Sequence, residues 1–118
     1  GLQDTLYLGN LDAIRDWGYA PEYVDAMWRM IQHHTPEDFV VATGVGCTVR
    51  EFLGYAFDHV GLDWQRYVRV DDRYLRPTEV TELIGDASRA EQSLRWRATV
   101  QTPTLAGLMV DADKAALP

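Results

Sequence analysis

The chain has 118 residues, 47% hydrophobic and 25% charged, which fits one folded domain of ordinary composition. Its formal net charge of −7 has the wrong sign for non-specific nucleic-acid binding, which needs a basic surface to displace counterions. A single cysteine, Cys47, excludes an intrachain disulfide and a thiolate zinc site, and no apolar run approaches the roughly 20 residues that span a bilayer. No basic stretch opens the sequence, so a signal peptide is not expected and the default location is cytoplasmic.

In chain order, TLYLG at Thr5 to Gly9 predicts a short apolar strand closed by glycine, followed by a charged loop from Asn10 to Trp17. Pro21 suits the first turn of a helix running from Glu22 to about His33. In it Tyr23, Ala26, Met27, Met30 and Ile31 recur at helical spacing as one buried stripe, and Thr35-Pro36 ends it. DFVVAT at Asp38 to Thr43 predicts a buried strand, with Gly44 and Gly46 in the turn after it. Thr48 and Glu51 have capping-box spacing, so a helix should begin at Val49, with Val49, Phe52, Leu53, Ala56 and Val60 inward and Gly61 at its end.

Tyr67, Val68 and Val70 predict another strand, and Asp71 to Thr81, around Pro77, an ordered loop. Asp86 is placed to cap a short helix from Ala87 to Leu94. Leu94 and Trp96 then lie two apart in an extended stretch and share a side. Thr102-Pro103 opens the last helix, with Leu105, Leu108, Met109 and Ala112 expected inward. The sum is a small α+β unit of three to four helices with short strands, a single domain over 1–118. Its first strand finds few partners in the sequence and is expected to belong to a sheet completed elsewhere.

Most residue types that carry chemistry are scarce or badly spaced. His33 and His34 are adjacent near a helix end and point about 100° apart, so with His59 they predict no metal site. Neither Ser88 nor Ser93 sits in a Gly-x-Ser-x-Gly turn. Gly44-Val45-Gly46 lacks the third glycine of a dinucleotide fingerprint and reads as a tight turn. Lys114, the one lysine, follows Val110 rather than completing a Tyr-x-x-x-Lys. Cys47 reads as an inert packing residue.

The arginines are more telling: there are ten, and the planar guanidinium fork grips phosphate as an ammonium cannot. Arg15 follows the first strand, flanked by Asp16 and Trp17; Arg76 precedes Glu79 by three. An arginine for a phosphate and a carboxylate for a ribose hydroxyl or base N–H make a sensible nucleotide grip.

LYLGNLDAIRDWGYAPEYVDAMWRM (Leu6 to Met30), PEDFVVATG (Pro36 to Gly44), TVREF (Thr48 to Phe52) and RYLRPTEV (Arg73 to Val80) follow one another in the chain, with GDASRA (Gly85 to Ala90) and Leu94-Arg95-Trp96 behind them. In order and character these blocks closely resemble the part of GDP-mannose 4,6-dehydratases that follows the Rossmann core. Those enzymes are extended short-chain dehydrogenase/reductases. The resemblance implies a C-terminal, substrate-binding portion of such a lyase, with the Rossmann core absent from this chain.

The parent enzyme uses NADP to convert GDP-mannose to GDP-4-dehydro-6-deoxy-mannose, the precursor of GDP-fucose and GDP-rhamnose, and is expected to be a homo-oligomer. The resemblance assigns the GDP end of the substrate to Arg15, the diphosphate to Arg76, the ribose to Glu79, and a contact near the nucleotide to Asn10. No catalytic, cofactor-binding or metal residue is expected here, because the catalytic Tyr/Lys pair and the NADP loop belong to the N-terminal Rossmann domain. The chain alone should therefore be inactive.

Three features depart from the family pattern. Tyr19-Ala20-Pro21-Glu22-Tyr23 replaces a common His-Ala-Lys-Asp-Tyr, the stretch from Leu62 to Asp71 is short, and Arg95 stands where glycine is common. Two other readings stay open from the residues alone. One is a stand-alone nucleotide-binding or regulatory module, the other an interaction domain that pairs through Thr5 to Gly9.

Overall fold

A computed structural model describes residues 2–76, 78 and 80–117. Among the described residues there are four α-helices and five short strands, in two small sheets. β1 (Leu6–Leu8) pairs in parallel with β4 (Val68–Val70), Leu6 opposite Val68 and Leu8 opposite Val70. The first strand thus has a partner within the chain, where the sequence pattern offers few. Its partner lies some sixty residues on, a non-local pairing that no short-range pattern announces.

The second sheet has β2 (Ile14–Asp16) at its centre, antiparallel to β3 (Gly46–Thr48) and parallel to β5 (Glu82–Leu83). A loop was expected at residues 10–17. The charged Arg15-Asp16 pair hides a strand there, because both of its neighbours come from distant parts of the chain.

Helix α1 spans Ala20–Gln32 and begins at the proline, as expected. Tyr23, Ala26 and Met30 face a core cluster of Ala90, Leu94, Trp96 and Ala98, in which Trp96 is 2% exposed. Met27 and Ile31 do not join them and are exposed, because the core contributed by residues 90–98 is too narrow to cover the helix's whole apolar arc. The Trp96 indole N–H donates to the Glu22 carbonyl at 2.9 Å. The Glu22 carboxylate accepts the backbone N–H groups of Thr99 and Val100 and the Thr99 hydroxyl. These bonds outweigh the rise that partial burial would cause and hold the Glu22 carboxyl below its usual range.

Helix α2 (Val49–His59) starts with both halves of the Thr48/Glu51 capping box in place, and Gly61 closes its end at φ 69°. Leu53 of α2 meets Leu11 and Val68 in a second cluster, flanked by Leu8, Val49, Phe57 and Trp64. Short α3 (Ser88–Leu94) is followed by Arg95 in left-handed backbone, φ 51° and ψ 37°, as its C-cap. Leu94 and Trp96 both reach the core through that turn rather than along an extended stretch. Asp86 accepts the Ser88 N–H at 2.9 Å.

Helix α4 (Thr102–Ala116) packs on α2 and buries Thr102, Leu105, Ala106 and Gly107. Leu108, Met109 and Ala112, expected inward, are exposed. A side chain at Gly107 would press on the His59 ring, so the helices sit too close for the bulkier face to be used.

Residues 38–42 form no strand. They pair with no other strand, contrary to the buried strand predicted from DFVVAT. Phe39 and Val41 lean on the Trp96 cluster while Val40 stays exposed. The segment has the composition of a strand without a sheet to enter. No helix is long and apolar enough to cross a membrane among the described residues.

Candidate functional site

Two loops leave the carboxyl ends of the parallel pair β1/β4, the region where open α/β sheets tend to bind ligands. One is Gly9-Asn10; the other begins at Asp71 and passes through a 3₁₀ turn at Asp72–Tyr74 to Arg76. The Asp71 N–H donates to the Leu8 carbonyl at 2.9 Å, which ties them together. The approach is so close that a Cβ on Gly9 would lie 2.5 Å from the Tyr74 carbonyl oxygen. Within the second loop the Asp71 carboxylate accepts the Arg73 guanidinium at 2.6 Å and the Arg73 N–H at 3.0 Å. Those bonds keep the Asp71 carboxyl below its usual range.

β2 supplies the third wall. Arg15 of β2 and Ala13 and Trp17 at its two ends face this cleft, the two-residue period of extended chain. Trp17 is fixed by an indole N–H bond to the Cys47 carbonyl at 3.0 Å and by its ring packing 4.8 Å from that of Phe52. The Arg15 guanidinium donates to the Ile14 carbonyl at 2.7 Å. Asn10 accepts the Asp12 N–H at 2.9 Å, closing a local turn. The cleft is about 300 Å³; Asn10, Arg15, Trp17, Tyr74 and Arg76 give it its polar and aromatic lining, and Leu8, Gly9, Ala13 and Val49 complete it.

Three of the four residues singled out in the sequence thus line one cavity. Glu79, the fourth, lies outside the described residues. Tyr74, half-exposed beside Arg76, and Gly9, which permits the two loops to meet, were not singled out. The glycine alone carried a signal, through its place at a strand end.

The other face of β2 is a separate construction. The Asp16 carboxylate points away from the cleft and accepts four hydrogen bonds: the Thr43 N–H and hydroxyl, the Gly44 N–H and the Gly85 N–H, at 2.6 to 3.3 Å. Burial alone would raise its pKa, but the bonds outweigh it and the carboxyl sits below its usual range. Gly44 turns there at φ 77°. Its N–H is spent on a carboxylate, so the Gly44-Val45-Gly46 turn does not fit the pyrophosphate of a dinucleotide. Cys47 is buried in β3; burial, with the Glu51 charge added, pushes its thiol up, the opposite of an activated nucleophile.

The fold is shared with nucleotide-sugar enzymes. UDP-glucose 4-epimerase from Bifidobacterium longum, solved with NAD+ and UDP, superposes with a TM-score of 0.84 at 19% identity, over 98% of this chain and 36% of that one. RMD from Pseudomonas aeruginosa, complexed with NADPH, gives 0.83 at 16% identity, over 97% and 37%. The profile of the GDP-mannose 4,6 dehydratase family matches residues 1–109, and the chain belongs to that family. It is 53% identical over 113 residues to GDP-mannose 4,6 dehydratase 2 of Arabidopsis thaliana, covering 96% of this chain and 30% of that one. With GDP-mannose 4,6 dehydratase of Homo sapiens it shares 44% over 130 residues, covering 96% and 35%. The chain therefore spans about a third of the length of these curated relatives.

Proposed function

We propose that these residues form the GDP-recognising portion of a GDP-mannose 4,6-dehydratase. What supports this is the convergence of Asn10 and Arg15 with Arg76, some sixty residues further on, on one cleft at the carboxyl ends of β1 and β4. Two arginines on one small cavity present guanidinium donors suited to a diphosphate. Arg76, at the open rim, would grip the phosphates with its guanidinium fork. Arg15, anchored on a sheet, would hold the GDP end from the floor, with Asn10 near the nucleotide. The half-exposed Tyr74 ring offers a flat apolar face beside them. Glu79 would take the ribose hydroxyls.

The parent would bind NADP, convert GDP-mannose to GDP-4-dehydro-6-deoxy-mannose as a hydro-lyase, and work as a cytoplasmic homo-oligomer. NADP would carry the hydride in that reaction. The residues of this chain do not fit it: the Gly44 turn is committed to Asp16, and the sequence contains no Tyr-x-x-x-Lys. Cofactor and catalysis would belong to a Rossmann domain outside these 118 residues. Two measurements test this division. Incubated with GDP-mannose and NADP, the chain should yield no dehydrated product by mass spectrometry, and turnover would contradict it. Arg15→Met and Arg76→Met should each weaken GDP binding by about tenfold or more, the loss of a charge-assisted bond. Unchanged affinity in both would remove the grip assigned to them.

A further inference from the structure

Arg76 reaches the cleft from a segment that leaves β4 and makes one 3₁₀ turn on the way. A long side chain on a loose, exposed loop loses backbone and rotamer freedom when a ligand fixes it, and that loss subtracts from affinity. The turn that carries Arg76 is closed by a single side chain, that of Asp71.

Asp71 sits at the junction of strand and turn. Its N–H donates to the Leu8 carbonyl at 2.9 Å, so its own backbone is fixed by the strand pair. Its carbonyl accepts the Tyr74 N–H, and that of Asp72 the Leu75 N–H, both at 3.0 Å. Its carboxylate turns back to accept the Arg73 N–H at 3.0 Å, a donor that the first residues of such a turn leave without a backbone partner. The backbone from Asp71 to Leu75 is thereby specified, and Arg76 is the next residue.

The same carboxylate holds the Arg73 guanidinium, through Nε at 3.0 Å and Nη2 at 2.6 Å. The two side chains differ in exposure: that of Asp71 is 16% exposed and that of Arg73 is 81% exposed. An ion pair so open on one side adds little to stability. Its effect is on charge. A carboxylate beside a diphosphate site repels the ligand unless a cation cancels it, and Arg73 does so without lining the cleft.

Resting on the GDP-recognising role proposed above, we propose that Asp71 is a positioning residue for the phosphate grip and that Arg73 is its counter-charge. Asp71 acts through the turn: by capping the Arg73 N–H it fixes where Arg76 departs toward the cleft. Of the two arginines on this loop, Arg76 grips the phosphates and Arg73 keeps the capping carboxylate neutralised.

Calorimetric titration of the chain with GDP tests both roles through a set of variants. Asp71→Ala removes the cap and should weaken GDP binding about tenfold, with little change in melting temperature. Asp71→Asn keeps an oxygen for the Arg73 N–H and should restore affinity to within about twofold of wild type. Equal affinity in wild type and Asp71→Ala overturns the positioning role. So does an Asp71→Ala chain that is unfolded or melts far lower, which makes Asp71 merely structural. Arg73→Ala leaves the Asp71 charge uncancelled. It should weaken GDP about threefold at about 20 mM salt and hardly at all at about 0.5 M, where such charges are screened. The Asp71→Asn/Arg73→Ala double variant should regain that loss. A double variant as weak as Arg73→Ala assigns Arg73 to the phosphates and overturns the counter-charge.

Amide ¹⁵N relaxation without nucleotide reads the order of the loop by itself. Order parameters at Arg73 to Arg76 should fall toward about 0.6 in Asp71→Ala and stay at wild-type values in Asp71→Asn; no change in Asp71→Ala counts against the proposal. A wild-type chain that does not bind GDP fails the reading beneath the proposal instead, and the relaxation data still decide whether Asp71 orders Arg76.

Discussion

Asp16 and Arg95 each make a position do something its type does not suggest. Asp16, in a strand beside the candidate site, gathers the Thr43, Gly44 and Gly85 donors and so staples β2 to two distant turns. Asp16→Asn keeps one oxygen but turns an NH2 toward the Gly44 and Gly85 N–H groups. It should cost about 1–3 kcal/mol in urea denaturation. The pH dependence has a definite sign. The Asp16 and Glu22 carboxyls titrate lower in the folded chain than in the unfolded one. Their stabilisation is complete above about pH 4–4.5, the unfolded range, and is lost as pH falls through the folded values. The Asn variant should therefore show a shallower loss of stability on acidification. Arg95 holds left-handed backbone that glycine adopts without cost. Its carbonyl bond to Arg29 needs no side chain, so Arg95→Gly should stabilise the chain by about 1 kcal/mol in the same assay. The positive φ at position 95 has no local signature in the sequence; it follows from the turn that brings Trp96 back to the core.

Among the elements, those with a local code were legible and those completed across the chain were not. Pro21 and the Thr48/Glu51 box announce α1 and α2 because their signals lie within one helical turn. β2 was concealed by Arg15-Asp16, since its strand character comes from Cys47 and Leu83 on either side. For α4, periodicity chose the bulky face, but close approach to α2 favoured Ala106 and Gly107. The loop pair at the site depends on a similar closeness. Gly9→Ala would drive a methyl into the Tyr74 carbonyl, at a cost of about 1–3 kcal/mol, and displace the segment that carries Arg76. GDP affinity should fall together with the melting temperature, whereas Arg76→Met should lower affinity alone.

At the scale of the whole molecule, the chain is thin and open. Its radius of gyration is 16.9 Å, with extents of 51 × 38 × 19 Å. A compact domain of this length would have about 13.5 Å. Two small cores, one around Trp96 and one around Leu53, replace a single centre. Of the candidate site, the arginines were legible through residue type and family blocks; their meeting with Trp17 and Tyr74 in one cleft was not, since it depends on the β1/β4 pairing. A titration of the isotopically labelled chain with GDP, followed by amide chemical shifts, tests the nucleotide grip most directly. The largest perturbations should fall on Gly9, Asn10, Arg15, Tyr74 and Arg76 and vanish in Arg15→Met. No perturbation at saturating GDP, or one centred on Thr43, Gly44 and Asp86 instead, would contradict it.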